Sequence, residues 1–177
     1  MLFNYIVALG LLPFLPLHAT TNLGVDPGQT GIFLSVVSMA LTAGTLGGGW
    51  LSDRFHRHKL IILASGLIGF PSLFSIAYAT NLFQLTLFTA LAWLAVGMST
   101  TMVRIMTGIL ADESQRGRIF GIIGVAVPLS SLIGGMISGP IVDRWDIATL
   151  FMIMSSAFVL QIIAALFITD AVNTDDD

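Results

Sequence analysis

Six apolar stretches fill almost the whole chain, and they constrain its fold more than any other feature. A helix needs about 20 apolar residues to cross the hydrocarbon core of a bilayer. The stretches predict transmembrane spans at residues 2–19, 31–51, 60–79, 82–110, 119–142 and 148–168. The first stretch is short for a span, because Pro13 and Pro16 interrupt it and polar residues follow. The expected fold is an all-α membrane protein with six transmembrane helices.

The composition of the chain supports a membrane protein. Hydrophobic residues make up 55% of the chain, charged residues 10%, and the mean hydropathy is +0.93, whereas a soluble domain is about one quarter charged. In a chain of 177 residues, six spans leave no room for a soluble domain. We expect residues 1–169 to form one helix bundle and residues 170–177 to form an acidic, disordered tail.

Basic residues are concentrated in two of the turns and predict the orientation of the chain. The second turn between spans holds Arg54, Arg57 and Lys59, and the fourth holds Arg116 and Arg118. Turns rich in Lys and Arg face the cytoplasm. Both termini are therefore expected in the cytoplasm, and the protein is expected to be integral to the plasma membrane.

Two spans carry stripes of small residues at intervals of four. Lipid tails are as apolar as leucine, so helices in a bilayer associate through close backbone packing. We predict tight interfaces at Ala40, Gly44 and Gly48 in the second span and at Ser131, Gly135 and Gly139 in the fifth. The alternative is that glycine is simply common in membrane helices. The sixth span has no glycine and is expected to face lipid.

The turn after the second span carries a motif, Gly-x-Leu-x-Asp-Arg-x-Gly-Arg-Arg/Lys. It is matched at Gly49, Leu51, Asp53, Arg54, Arg57 and His58, with His56 in place of the inner glycine. Further matches are Ala111-Asp112 with Arg116-Gly117-Arg118 after the fourth span, and Pro128 with Gly134-Gly135 to Gly139-Pro140 in the fifth. In these residues and their order, the chain resembles one half of a transporter of the major facilitator superfamily.

The resemblance implies a transporter of twelve helices, made of two six-helix halves with a small-molecule substrate bound between them. The second and fifth helices of each half would lie against the other half. Because the halves point the same way, two copies of this chain could form a parallel homodimer. The alternatives are a separate partner chain or a fragment of a longer chain. The residues leave open whether this is the first or the second half.

The resemblance also implies a gate on the cytoplasmic side. The matching residues are Gly49, Leu51, Asp53, Arg54, Arg57, His58, Asp112, Arg116 and Arg118. In the family the matching aspartate approaches the start of a helix in the opposite half, where the helix dipole stabilises a carboxylate. We therefore expect Asp53 and Arg54 to help latch this side closed, with Arg116 and Arg118 as partners. The alternative is that these residues are only topology signals and helix caps.

Polar residues of the first and fourth spans are the candidates for a substrate cavity, because these helices line it in the family. They are Asn4, Tyr5, Trp93, Ser99, Thr100, Thr101 and Arg104. Ser and Thr also bond readily to their own helix backbone, and Arg104 could instead reach water or pair with Asp112. His18 is expected to be exposed, and Gln84 and Gln161 to be peripheral.

Other kinds of chemistry lack support in the sequence. No catalytic constellation, metal-ligand spacing or phosphate-binding loop is evident, and the basic turn has no interleaved aromatics for nucleic acid. The chain is therefore not expected to be an enzyme or to hold a cofactor or metal. The predicted function is a half-transporter that moves a small solute by alternating access after pairing with a second half. A truncated, inactive fragment and a non-transporting membrane assembly protein are the alternatives.

Overall fold

A computed structural model of the protein describes residues 2–110 and 115–167. Within these residues the helices are α1 (Leu2–Leu11), α2 (Phe14–Leu23), α3 (Pro27–Phe55), α4 (His58–Ile76), α5 (Leu82–Leu110), α6 (Arg116–Arg144) and α7 (Ile147–Leu166). In this part of the chain α3 to α7 are long and apolar enough to cross a membrane, and α1 with α2 makes a sixth span if the pair crosses as one. The prediction of an all-α membrane protein is confirmed.

The first span differs from the prediction, because it is a bent pair of helices. α1 ends at Leu11 and α2 begins at Phe14, with a bend of 49° between the two. Proline lacks an amide hydrogen and disfavours helical geometry at the preceding residue, so Pro13 interrupts the helix. α2 then continues to Leu23, past the expected end at residue 19. Two threonine hydroxyls near its end bond to carbonyl oxygens of the preceding turn, so these polar groups are satisfied within the helix.

Polar side chains mark where three of the long helices begin. Asp26 accepts hydrogen bonds from two amides in the first turn of α3, at 2.8 and 3.0 Å. Asn81 accepts from the amide of Gln84 at the start of α5. Asp146 accepts from the amide of Thr149 at the start of α7. Hydrogen bonds with the side chain and backbone of Thr149 hold the pKa of Asp146 below its ordinary value.

The contacts between helices repeat with a period of three spans. α3 packs along α5, and α1 packs along α6. α4 contacts α5 as α7 contacts α1, and α4 and α7 contact each other. Exchanging the first three spans for the last three leaves this set of contacts unchanged, as in folds built from two three-span repeats. α1 and α5 are equivalent in this exchange and also contact each other.

The small-residue stripe predicted in the second span lies at a contact within the bundle. Gly44 and Gly48 of α3 lie against the backbone of α5, and a Cβ at Gly48 would be 3.0 Å from the Met98 Cα. Gly97 of α5 completes the contact, since a Cβ there would be 2.5 Å from a carbonyl oxygen of α3. Ala40 is half-buried. The glycines therefore serve packing inside the six-span unit.

In the fifth span, the residues that meet another helix lie one position before the predicted stripe. Gly134 of α6 lies against Gly10 of α1, and a Cβ at Gly134 would be 2.8 Å from the Gly10 Cα. Ser131 and Gly135 are exposed and Gly139 is half-buried, and no described atom comes within 4 Å of a Cβ built at either glycine. One residue rotates a helix face by about 100°. The residues of α6 that contact α1 therefore lie on the neighbouring face of α6. The predicted stripe faces away from α1.

α7 packs one face against α4 although it has no glycine. The close approach comes from α4, where Gly66 lies against Ile162. Gln161 is buried at this contact and donates a hydrogen bond from Nε2 to the carbonyl oxygen of Ile62 at 3.0 Å. The expectation that Gln161 is peripheral is therefore wrong. Lipid can reach only the opposite face of α7.

Candidate functional site

A buried hydrogen bond joins α1 to α5 in the region predicted to line a cavity. Asn4 donates from Nδ2 to the Ser99 hydroxyl at 2.7 Å, and Ser99 donates in turn to the Val96 carbonyl oxygen at 3.2 Å. Asn4 is 3% exposed and Ser99 is fully buried. A satisfied polar pair between membrane helices stabilises their association. This pair therefore holds α1 and α5 together and does not face open space.

A second polar contact between α1 and α5 lies at the surface. Arg104 donates from Nη2 to the Tyr5 hydroxyl at 2.5 Å. Arg104 is exposed and Tyr5 is half-buried. The guanidinium has five N–H donors, and within the described residues this is its one hydrogen bond. The tyrosine hydroxyl thus holds one side of the guanidinium at the surface between α1 and α5.

A cleft of about 380 Å³ lies between α1, α3 and α5. Trp93 forms part of its wall, together with Leu9 and Leu12 of α1 and Leu34 and Ser38 of α3. The lining is apolar except for a few polar atoms, as in many sites for small organic molecules. The sequence predicted Trp93 but missed the α3 residues. Their helical spacing at positions 34, 37, 38 and 41 was the available signal.

Thr100 and Thr101 form hydrogen bonds to helix backbone. Thr100 is buried and donates to the Val96 carbonyl oxygen at 2.8 Å. Thr101 donates to Gly97 at 2.9 Å and lies 3.3 Å from the Thr45 carbonyl oxygen of α3. These bonds satisfy the hydroxyls within the bundle. Of the predicted cavity residues, Trp93 lines the cleft, and Tyr5 and Arg104 form the contact at the surface.

Residues 49–59, which cover the end of α3, the two connecting residues and the first two residues of α4, are called the basic turn below. Its backbone reverses at His56, which has φ of 51° and donates its amide to the Ser52 carbonyl oxygen at 2.9 Å. The Ser52 hydroxyl lies 3.0 Å from Nδ1 of His58. Lys59 donates to the carbonyl oxygen of Leu166 at the end of α7, where a cation is favoured by the helix dipole. The basic turn is thus tied to both α3 and α7.

Four charged residues of the proposed latch are not paired with one another within the described ranges. Asp53, Arg54, Arg57 and Arg118 are exposed, and none has a hydrogen-bond or ionic partner within residues 2–110 and 115–167. The side chain of Arg116 is not described, and Asp112 lies outside the described residues. Of the two apolar motif residues, Leu51 is half-buried and Gly49 borders open space.

His18 is buried at the end of the bundle opposite the basic turn, so the expectation that it is exposed is wrong. Because α2 continues as a helix, His18 shares a buried face with Leu15 and Ala19. Its ring meets Phe151 of α7 edge-on, with 5.3 Å between centroids, and its Nδ1 lies 3.0 Å from the Asn22 side-chain nitrogen. It serves packing between α2 and α7.

Comparison with known proteins finds similarity to one family of membrane transporters. A family model described as Major Facilitator Superfamily matches residues 1–176. YncC of Bacillus subtilis strain 168, named for metabolite transport, is 34% identical over 110 residues, which are 62% of this chain and 23% of that protein. The 4-hydroxybenzoate transporter PcaK of Pseudomonas aeruginosa is 27% identical over 123 residues, 70% of this chain and 27% of the relative.

A third relative is matched along nearly the whole chain. The multidrug resistance protein MdtG of Proteus mirabilis is 28% identical over 165 residues, which are 89% of this chain and 40% of that protein. In each of these three alignments the chain spans between about a quarter and two fifths of the relative's length.

Proposed function

This chain belongs to the major facilitator superfamily, and on that premise we propose that it is one half of a secondary transporter. It would pair with a second half and move a small solute across the membrane by alternating access. Six spans in two three-span repeats, and relatives of more than twice the aligned length, support one half of the family's fold. The alternative is that the chain is a truncated, inactive fragment.

The second half would dock on the side of the bundle that carries the uncovered small residues. No described atom lies within 4 Å of a Cβ built at Gly135 or Gly139 of α6, and Ser131 is exposed on the same face. Large apolar residues such as Met136 are exposed beside them. A glycine face without a partner allows close approach of another helix. The second half would be either another copy in a parallel homodimer or a separate chain.

The substrate would bind against α1 and α5. The main support for this site is the Tyr5–Arg104 contact, which holds a cation at the surface between these helices. The cleft at Trp93 adds an apolar wall between the same two helices and α3. The relatives are named for metabolites, 4-hydroxybenzoate and drugs, so the substrate class proposed here is a small organic solute. No catalytic step is part of this function.

We propose that the protein lies in the plasma membrane with both termini in the cytoplasm. The basic turn then faces the cytoplasm, as the positive-inside rule requires. Closing of this side would bring Asp53 and Arg54 against the second half.

The pairing is tested by the oligomeric state in lipid nanodiscs. We expect the purified chain to be a dimer, or to pair with a co-expressed half, and Gly135→Leu to weaken pairing at least tenfold because the side chain fills the docking face. Val159→Leu, on the exposed face of α7, is the control and should pair normally. Uptake of 4-hydroxybenzoate and of ethidium into proteoliposomes should follow the paired fraction. A wild-type chain that is monomeric and inactive under all these conditions would establish the fragment instead.

A further inference from the structure

A groove of about 540 Å³ opens at the basic-turn end of the bundle, between the end of α3 and the start of α4. Its walls are apolar and include Leu51, Phe55, Leu60 and Ala64. Arg54 and Arg57 also line it. The groove is separate from the cleft at Trp93, with which it shares no lining residue. It therefore has no role in the substrate site proposed above.

The two arginines of the groove have no acidic partner among the residues that the structure describes. Both are exposed and have no hydrogen-bond or ionic partner in the described ranges. Asp53 is the neighbouring acid, and it is also exposed and unpaired there. Lys59 is engaged with the carbonyl oxygen of Leu166. The groove thus presents two guanidinium groups that can each donate to an anion.

The apolar walls lie at the end of the second span, beside an exposed tryptophan. Phe55 is 56% exposed and Leu60 is 49% exposed. Trp50, one helical turn before Arg54, is 65% exposed, and tryptophan is enriched at the boundary between headgroups and hydrocarbon. Arginine beyond that boundary lies at the level of lipid phosphate. The groove is therefore apolar on its membrane side and cationic on its aqueous side.

We propose that this groove binds an anionic phospholipid from the leaflet at the basic-turn end. Its phosphate would accept hydrogen bonds from Arg54 and Arg57, and one acyl chain would cover the walls at Phe55 and Leu60. Basic pockets between membrane helices bind such headgroups. A zwitterionic lipid complements the walls but carries no net charge for the arginines. A second copy docked symmetrically here would set the same arginines against each other.

The test uses lipids with brominated acyl chains, which quench tryptophan on contact. In a Trp93→Phe, Trp145→Phe background, Trp50 is the remaining tryptophan and lies beside the groove. In mixed vesicles we expect brominated phosphatidylglycerol to displace phosphatidylcholine near Trp50 with about tenfold selectivity, from two arginine contacts. Equal quenching by the two lipids overturns the proposal. Quenching by neither, as when a second copy covers the groove, overturns it too.

Four variants distinguish a specific lipid site from general attraction to positive charge. Arg57→Gln should lose most of the selectivity, while Arg118→Gln removes one charge at the same end outside the groove and should keep it. Ala64→Phe fills the groove without changing charge and should also lose selectivity. Arg57→Lys should retain part of it, which shows that variants at this position fold. Equal loss in the Arg57 and Arg118 variants would assign the effect to diffuse attraction and overturn the site. Displacement by millimolar glycerol phosphate would assign it to free phosphate.

Discussion

His56 shows how a single residue can depart from a motif while the backbone keeps its shape. The family motif has glycine here, and the observed φ of 51° is a left-handed conformation that glycine adopts without strain. Histidine adopts it at a cost of about 1–2 kcal/mol. The hydrogen bond from its amide to Ser52 ends α3 and offsets part of this cost.

Replacing His56 by glycine should stabilise the protein. We expect His56→Gly to raise the free energy of unfolding by about 1 kcal/mol, because the left-handed strain is relieved. Thermal unfolding in detergent, followed by circular dichroism, measures the change. His56→Ala removes the same imidazole but keeps a Cβ, so it should not stabilise the protein. Equal gains from glycine and alanine would show that the imidazole, not the backbone, is responsible.

The polar residues of α1 and α5 show which residue roles the sequence could predict. Asn4 and Ser99 stand out as polar groups within apolar spans, and both were assigned to a cavity. Their mutual hydrogen bond at 2.7 Å depends on how the two helices are rotated and aligned. The sequence does not directly reveal this rotation and alignment. Arg104 was open to several interpretations for the same reason, since its partner Tyr5 lies on another helix.

At the scale of helices, the fifth span also shows that the sequence does not reveal how a helix is rotated in the bundle. Small residues occupy both 130, 134 and 138 and 131, 135 and 139. The two sets differ by one position, so periodicity alone cannot tell which set meets α1. The contact between Gly10 and Gly134 decides it. In α3, by contrast, the predicted Gly44 and Gly48 do lie at a helix contact, although with α5 of the same bundle.

The adjacent glycines of α6 give a matched test of this contact. Gly134→Ala should destabilise the chain by about 1–3 kcal/mol, because the methyl group overpacks against α1. Gly135→Ala should be neutral or stabilise by up to about 1 kcal/mol, since alanine favours the helix and meets no neighbour. Chemical unfolding of the monomer in detergent compares the two. Equal effects would contradict the tight contact between α1 and α6.

At the scale of the molecule, the sequence predicted more of the fold than of the site. Apolar length and basic turns are local properties of the chain, so the membrane class and the helical spans could be predicted from them. The bend at Pro13 and the burial of His18 and Gln161 depend on packing against distant helices. The cleft at Trp93 likewise needs three helices to be assembled.

The proposed latch is a property of the paired transporter and is tested there. Asp53→Asn should slow transport severalfold, because a carboxylate near a helix start contributes up to about 2 kcal/mol that an amide does not. Membrane insertion should be unchanged, since Asp53 is exposed and has no partner within the described residues. Uptake kinetics in proteoliposomes measure the effect. Asp143→Asn removes an exposed acid at the opposite end and serves as the control. Wild-type kinetics in Asp53→Asn would remove the latch.

The packing of α1 against α6 and α7 constrains how the protein is made. A ribosome releases α1 first and these two helices last, so α1 must wait in the bilayer while the remaining spans are synthesised. During that interval Asn4 lacks Ser99, and Gly10 has no helix to cover it. α3 and α5 pack against each other and are separated in sequence only by α4. Their glycine interface can therefore form first. We therefore expect the contact between α3 and α5 to form before α1 packs against α6 and α7.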